Sequence, residues 1–294
     1  MLPPDVVRQI RRLHLRARRA VQDLLGGEYH SAFKGTGLAF ADVRAYEPGD
    51  DVRSIDWNVT ARMGQPFLKR YVEERELTVL FLVDASASLT CGTRRQPMRE
   101  VVAELSALLA FAALHNNDRV GLIHFTDRVE QIVPPRKGTR HAQRLLRDIL
   151  FYRPVHHGTD LKAALDTLQR IQRRRAVVFL LSDFRAAGYE RALRLAGRKH
   201  DLVAVAVRDP LDEELPDVGL LELHDAETGG QHLIDTSSSA VRMVYADVQR
   251  RRRETLRRTA RAADVDLIEV STAGGHLDAL TGFFHRRERR LKHA

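Results

Sequence analysis

A single cysteine, Cys91, stands in 294 residues, which excludes an internal disulfide and a metal site built from several thiolates. Aromatic residues make up only 6%, with one tryptophan, so a core must come mainly from the Leu, Val, Ala and Ile that crowd the sequence between Leu77 and Val270. Apolar runs of bilayer-crossing length are missing, and even Val101 to Leu114 is broken by Glu104. The opening Met-Leu-Pro-Pro-Asp leads into arginine-rich sequence without the apolar segment of a signal peptide. Internal repeats and low-complexity linkers are lacking as well. These absences lead to the expectation of a soluble, cytoplasmic, globular α/β protein.

What the chain has in excess is arginine. The net charge of +9 is concentrated in Arg8, Arg11, Arg12, Arg16, Arg18 and Arg19, in Arg250 to Arg253 with Arg257, Arg258 and Arg261, and in the tail from Arg286 to Lys292. Solvated helix faces account for such runs. Non-specific nucleic-acid binding through the basic helices is an alternative, but no aromatic platform, Gly-rich loop or finger spacing accompanies the arginines, so no specific nucleic acid is expected.

Periodicity divides the chain into three regions. Residues 1–76 combine an amphipathic helix (Val6, Ile10, Leu13, Leu15 and Val21, stopped by Gly26-Gly27) with a turn-rich segment punctuated by Pro48-Gly49 and Gly64-Gln65-Pro66. Residues 77–273 alternate short, fully apolar strands with helices, the pattern of a doubly wound, mostly parallel sheet covered on both faces. The expected strands are Leu77 to Val83, Val120 to Phe125, Ala176 to Leu181, Leu202 to Val207 and Val265 to Val270. Helices are expected over Met98 to His115, Arg140 to Leu150, Asp160 to Ile171, Tyr189 to Arg198 and Ala240 to Ala263. Val129 to Val133 reads as an antiparallel edge strand, and Gly219 to Asp235 as an inserted hairpin. Residues 274–294 read as a basic C-terminal helix.

Open α/β sheets bind ligands at the carboxyl ends of their strands, where helix N-termini also point. There the first strand runs into Asp84-Ala85-Ser86-Ala87-Ser88, a carboxylate and two hydroxyls at alternating positions that a tight loop can turn toward one cation. Thr159, in His157-Gly158-Thr159-Asp160, and Asp183, after the strand ending at Leu181, supply further oxygens in equivalent places. Five oxygen donors from three loops suit Mg²⁺ or Mn²⁺. The plain alternatives are a polar loop at Asp84 to Ser88, an N-cap at Thr159 and a strand-end turn at Asp183.

The order Asp84, Ser86, Ser88, Thr159, Asp183 resembles the metal motif of the von Willebrand factor A family, D-x-S-x-S, then Thr, then Asp. That resemblance implies a Rossmann-type fold with a metal-ion-dependent adhesion site. In it Ser86, Ser88 and Thr159 ligate through hydroxyls, while Asp84 and Asp183 act directly or through water. A site so rich in neutral ligands leaves the metal's charge unbalanced and favours an outside carboxylate. The stretch from Arg44 to Trp57 (Arg-Ala-Tyr-Glu-Pro-Gly-Asp-Asp-Val-Arg-Ser-Ile-Asp-Trp), continued by Thr60-Ala61-Arg62, is similar to the signature of the bacterial domain of unknown function 58. This likeness covers most of the chain. It implies an adaptor that works beside a MoxR-type AAA+ ATPase and a client protein. Read from its residues alone, the same stretch is structural: a turn at Pro48-Gly49, Trp57 as an apolar anchor, and a capping network from Asp50, Asp51, Arg53 and Asp56.

An Mg-dependent phosphohydrolase is the enzymatic alternative, with Asp84 as nucleophile. Haloacid-dehalogenase-like phosphatases, which the position of Asp84 resembles, carry D-x-D there, whereas Ser86 supplies no second carboxylate, so a non-enzymatic binding module is the expectation.

Overall fold

In the signature region, extended sequence and turns produce a two-stranded antiparallel ladder, β1 (Ala39–Ala45) against β2 (Phe67–Val72), with a bulge between Phe40 and Asp42. Between them lie a 3₁₀ turn (Val52–Ser54) and the short helix α1 (Trp57–Met63). Asp51 and Asp56 cap them by accepting from Arg53 N and from Asn58 N and Val59 N, and Gly64 ends α1 at φ 72°, a left-handed conformation natural to glycine. The caps expected from Asp51 and Asp56 are therefore present, while Asp50 is paired by Arg44 at 2.6 Å and Arg53 takes part through its backbone N. Trp57 corrects the expectation of an apolar anchor: it is 69% exposed, because α1 buries none of its residues. The computed structural model describes residues 15, 17, 21, 29, 31–33, 39–72, 76–90, 96–224 and 229–293. Most of the helix expected over the first residues lies outside that set. Residues 33–77 form one compact unit, and residues 1–32 group with 78–294 in the other.

The larger unit is mixed α/β. Its central sheet contains β3 (Thr78–Asp84), β4 (Arg119–Phe125), β5 (Val129–Arg136), β6 (Val177–Ser182), β7 (Asp201–Arg208) and β10 (Asp266–Ser271), while β8 (Leu220–His224) and β9 (Gln231–Asp235) pair as the separate hairpin expected from the sequence. Strand order is β10-β7-β6-β3-β4-β5, with every neighbouring pair parallel except β4 and β5. The flanking helices are α2 (Met98–His115), α3 (Thr139–Phe151), α4 (Leu161–Ile171), α5 (Glu190–Lys199), α6 (Ser239–Ala262) and α7 (His276–His293).

The strands alternate between two buried faces. Leu80, Leu82, Val178, Leu180 and Ala204 pack against Leu161, Leu165 and Leu168 of α4, Leu193 of α5 and Leu256 of α6. Odd-numbered neighbours, with Phe81 stacked on Phe179 at 5.8 Å, face the other way. Helix α2, which touches β3, β4 and β7, is buried nearly all round, and its one mid-helix acid, Glu104, is held by His276 at 2.8 Å. Strand β5 runs on through Pro134-Pro135, beyond the Val133 expected from the sequence. An edge strand tolerates proline, and the two prolines sit at a bulge opposite Gly121, where a Cβ would stand 2.8 Å from Leu80 and 3.0 Å from Pro135.

Among the described residues, several arginines of the two C-terminal runs are engaged in ion pairs. On α6, Arg250 and Arg251 pair with Asp247, Arg253 with Glu213 and Arg257 with Glu269; on α7, Arg287 and Arg290 reach Asp266. Among the described residues, no helix is long and apolar enough to cross a membrane.

Candidate metal centre

Strand order places a topological switch between β3 and β6. From β3 the chain proceeds outward to β4 on one side, and β6 later opens the other half of the sheet. Ligands of open α/β sheets bind at such points, because the loops diverge there and leave a crevice. Asp84 is the last residue of β3, and Asp183 directly follows β6.

Register then dictates the first contact. Val83 pairs with Leu181, so the next step brings Asp84 opposite Ser182 on the same face. The Ser182 hydroxyl donates to Asp84 Oδ2 at 2.6 Å, and Ser86 N donates to Asp84 Oδ1 at 2.9 Å. Ser86 Oγ lies 2.9 Å from Ser88 Oγ, and the nearby Ser88 hydroxyl partly offsets the effect of burial on the Asp183 carboxylate. Hydrogen bonds therefore link Asp84, Ser86 and Ser88, with Asp183 beside Ser88, so four of the five residues singled out in the sequence come together.

Thr159 arrives through its loop. Ala87 N donates to His157 O at 3.3 Å, and Asp160 N donates to Thr126 O at 2.7 Å, which fixes the backbone on either side of Thr159 beside the Ser86–Ser88 turn. The N-cap of α4 is Asp160, whose carboxylate accepts from Ala163 N at 2.9 Å, so the capping role considered for Thr159 belongs to its neighbour. Asp183 does fulfil its plain alternative with one oxygen: Oδ1 accepts from Arg185 N at 3.2 Å. Its Oδ2 is buried without a hydrogen-bond partner. Arg185 Nε lies 3.5 Å away, close enough for charge attraction, while another of its nitrogens is bound to Asp212. The turn forces Phe184 to φ 56°, a conformation uncommon for a bulky residue and most often retained at working sites.

Burial dominates the electrostatics of both carboxylates. Asp84 is 2% exposed, and burial followed by the nearby Asp183 charge pushes its pKa up to about 7, despite the bonds from Ser182 and Ser86. Burial likewise raises Asp183, with Arg185 opposing. Among the described residues, no three His, Cys, Asp or Glu side chains gather to hold a metal. The donor set here is of another kind, two carboxylates surrounded by hydroxyls. Hard oxygen donors and an unpartnered buried carboxylate oxygen suit Mg²⁺ or Mn²⁺, which accept all-oxygen ligands and keep water in the remaining positions.

Sequence reasoning missed two residues of this site. Ser182 preceded a chosen position, but its bond to Asp84 depends on strand register. Glu130, on β5, accepts four hydrogen bonds from the Thr159 side of the site, and no motif signals it.

Fold and site together define a mixed α/β protein with two buried carboxylates and neighbouring serine hydroxyls at the switch point of its sheet. The chain belongs to the family described as "Protein of unknown function DUF58", whose sequence profile matches residues 42–255. A relative from Mycobacterium tuberculosis, carrying the name uncharacterized protein, is 33% identical over 291 residues, spanning 97% of this chain and 91% of the relative. YeaD of Bacillus subtilis is 28% identical over 109 residues, covering 37% of this chain and 25% of that protein. Among solved structures, BatB from Bacteroides thetaiotaomicron is similar at 16% identity with a TM-score of 0.48, covering 72% of this chain and 99% of that one.

Proposed function

We propose that this chain is a non-enzymatic, metal-dependent protein-binding module. In this reading the larger unit is a von Willebrand factor A-like domain, and Asp84, Ser86, Ser88, Thr159 and Asp183 hold Mg²⁺ or Mn²⁺ in a metal-ion-dependent adhesion site. The cation supplies Lewis acidity toward an Asp or Glu side chain of a partner protein. Family membership suggests the partners, a MoxR-type AAA+ ATPase and a client that this chain presents to it.

The observation that carries the proposal is the proximity of two buried carboxylates, Asp84 and Asp183, with the mutually bonded hydroxyls of Ser86 and Ser88 beside them. Burying like charges together is costly unless a cation or a proton neutralises them. A cation bound by two carboxylates and several neutral hydroxyls retains net positive charge, and that favours an incoming carboxylate. Ser86 and Ser88 contribute lone pairs without charge, so they set the residual attraction as well as the grip.

Calorimetric titration of metal-free protein with MgCl₂ and MnCl₂ tests this. One site is expected in the wild type, and the S86A/S88A variant should bind at least about 10-fold more weakly with an unchanged circular dichroism spectrum. Equal affinity in the variant would remove the serines from the site, and no heat of binding in the wild type would defeat the proposal.

A further inference from the structure

Glu130 lies on β5, the antiparallel edge strand, and belongs to no motif of the candidate site. Its carboxylate nevertheless accepts four hydrogen bonds. Oε1 takes the Thr126 hydroxyl at 2.8 Å and His156 N at 2.9 Å, and Oε2 takes the Tyr152 hydroxyl at 2.9 Å and Val155 N at 2.9 Å. Three of these donors come from the irregular segment between α3 and α4, and the fourth, Thr126, accepts Asp160 N through its own carbonyl. Residues 155–156 and 160 are thus both referred to one carboxylate, and Thr159 lies between them. Tyr152 is itself stacked on the buried ring of His124 at 4.5 Å, which anchors the start of the segment to β4.

We infer that Glu130 is a positioning residue for the proposed cation site, fixing the loop that carries Thr159 against the Ser86–Ser88 turn. The inference rests on the metal-binding reading. Glu130 acts through backbone, and its four hydrogen bonds reach none of the proposed ligands. Burial pushes its pKa up, but the bonds from Val155, His156, Thr126 and Tyr152 outweigh this and hold it low, so the carboxylate is the ionised, acceptor-only form. No neutral amide can copy it. In Glu130→Gln the amide nitrogen must face either His156 N or Val155 N, and whichever orientation it takes, one backbone N–H loses its acceptor. The hydroxyls of Thr126 and Tyr152 can rotate to accept instead, but a backbone N–H has no such freedom.

A double-mutant cycle read by Mn²⁺ affinity separates positioning from general destabilisation. Calorimetric titration of metal-free wild type, E130Q, T159A and E130Q/T159A with MnCl₂ is the measurement, made where all four are fully folded by circular dichroism. T159A and E130Q are each expected to weaken Mn²⁺ binding by about 10-fold, the scale typical of outer-shell partners of a metal site. The double variant should be no weaker than T159A alone, because Glu130 acts on the cation only through Thr159. Mn²⁺ bound by wild type and weakened in T159A, but unchanged in E130Q, would overturn the role of Glu130 and leave the metal reading intact. Losses that multiply in the double variant would overturn it too, since they mark independent effects. Absence of binding in the wild type would instead sink the underlying reading.

Discussion

Exchanging Asp84 for Asn will stabilise the metal-free protein at pH 8 while abolishing its response to Mg²⁺. The sign follows from linkage. Burial, and then the Asp183 charge, raise the folded-state pKa of Asp84 from 3.8 to about 7. The folded chain therefore holds a proton on Asp84 at pH values where the unfolded chain has released it. The contribution of Asp84 to stability is therefore most favourable below pH ~4 and falls as pH climbs through the window to about 7. At about 1.4 kcal/mol per pKa unit, the loss attributable to Asp84 is about 4 kcal/mol at most. An amide carries no charge to desolvate, and its oxygen can still accept from Ser86 N. Urea unfolding in EDTA from pH 4 to pH 8 should show wild type weakening relative to D84N as pH rises, with the two converging near pH 4. Millimolar Mg²⁺ should then restore wild type and leave D84N unmoved, because a ligand stabilises only the state that binds it. A D84N protein less stable than wild type in EDTA at pH 8 would show that the buried charge is already compensated within the chain.

Replacing Arg287 with Met should destabilise the fold more than any substitution at the candidate site. The side chain is 12% exposed and lies at the end of the sheet opposite that site. It donates to Asp266 Oδ2 at 2.7 Å, to Asp201, and through Nε to Ala32 O at 2.9 Å. Asp201 and Asp266 are the first residues of β7 and β10, so one guanidinium ties α7 to two adjacent parallel strands and to the N-terminal segment. Removing it leaves two partly buried carboxylates close together, with Arg290 the one cation still paired to Asp266 among the described residues. Breaking a buried pair by deleting one partner costs about 3–5 kcal/mol, most of it the uncompensated charge left behind. Denaturant unfolding is the check, and a loss under about 1 kcal/mol would place the cluster effectively in water. Cation binding in the surviving folded fraction should be unaffected, because the two ends of the sheet share no side chain.

Much of this architecture was legible because buried parallel strands announce themselves as short apolar runs, and every expected parallel strand of the central sheet is present within a residue or two. The candidate site was legible for a related reason. Asp84 and Asp183 end apolar runs, and polar residues in those places sit at the carboxyl edge of a sheet. Long-range pairing was not legible. That Ser182 meets Asp84 depends on β6 lying beside β3 in a given register, and that Glu130 reaches Val155 and His156 depends on β5 folding back along the edge. Neither fact is encoded in local spacing. Local chemistry was also ambiguous in one place and misleading in another. Thr159 and Asp160 are both competent caps, and only the backbone geometry assigns the role to Asp160. Trp57 is large and apolar, yet α1 is a two-turn helix in a small unit with too little surface to cover an indole.

The arginine excess takes a plainer form than its size suggests. Asp247, Glu213, Glu269 and Asp266 draw much of it into local ion pairs along α6 and α7. Exposed pairs of this type add little stability individually, and their effect is to keep basic helices soluble and oriented.

The central claim is that Asp84, Ser86, Ser88, Thr159 and Asp183 enclose a divalent cation. Manganese scatters anomalously, so a difference map from crystals equilibrated with MnCl₂ tests that most directly. A single strong peak within coordination distance of the Ser86 and Ser88 hydroxyls, between Asp84 and Asp183, is the predicted result. A map featureless there, or with its strongest peak on acidic residues elsewhere, would contradict it.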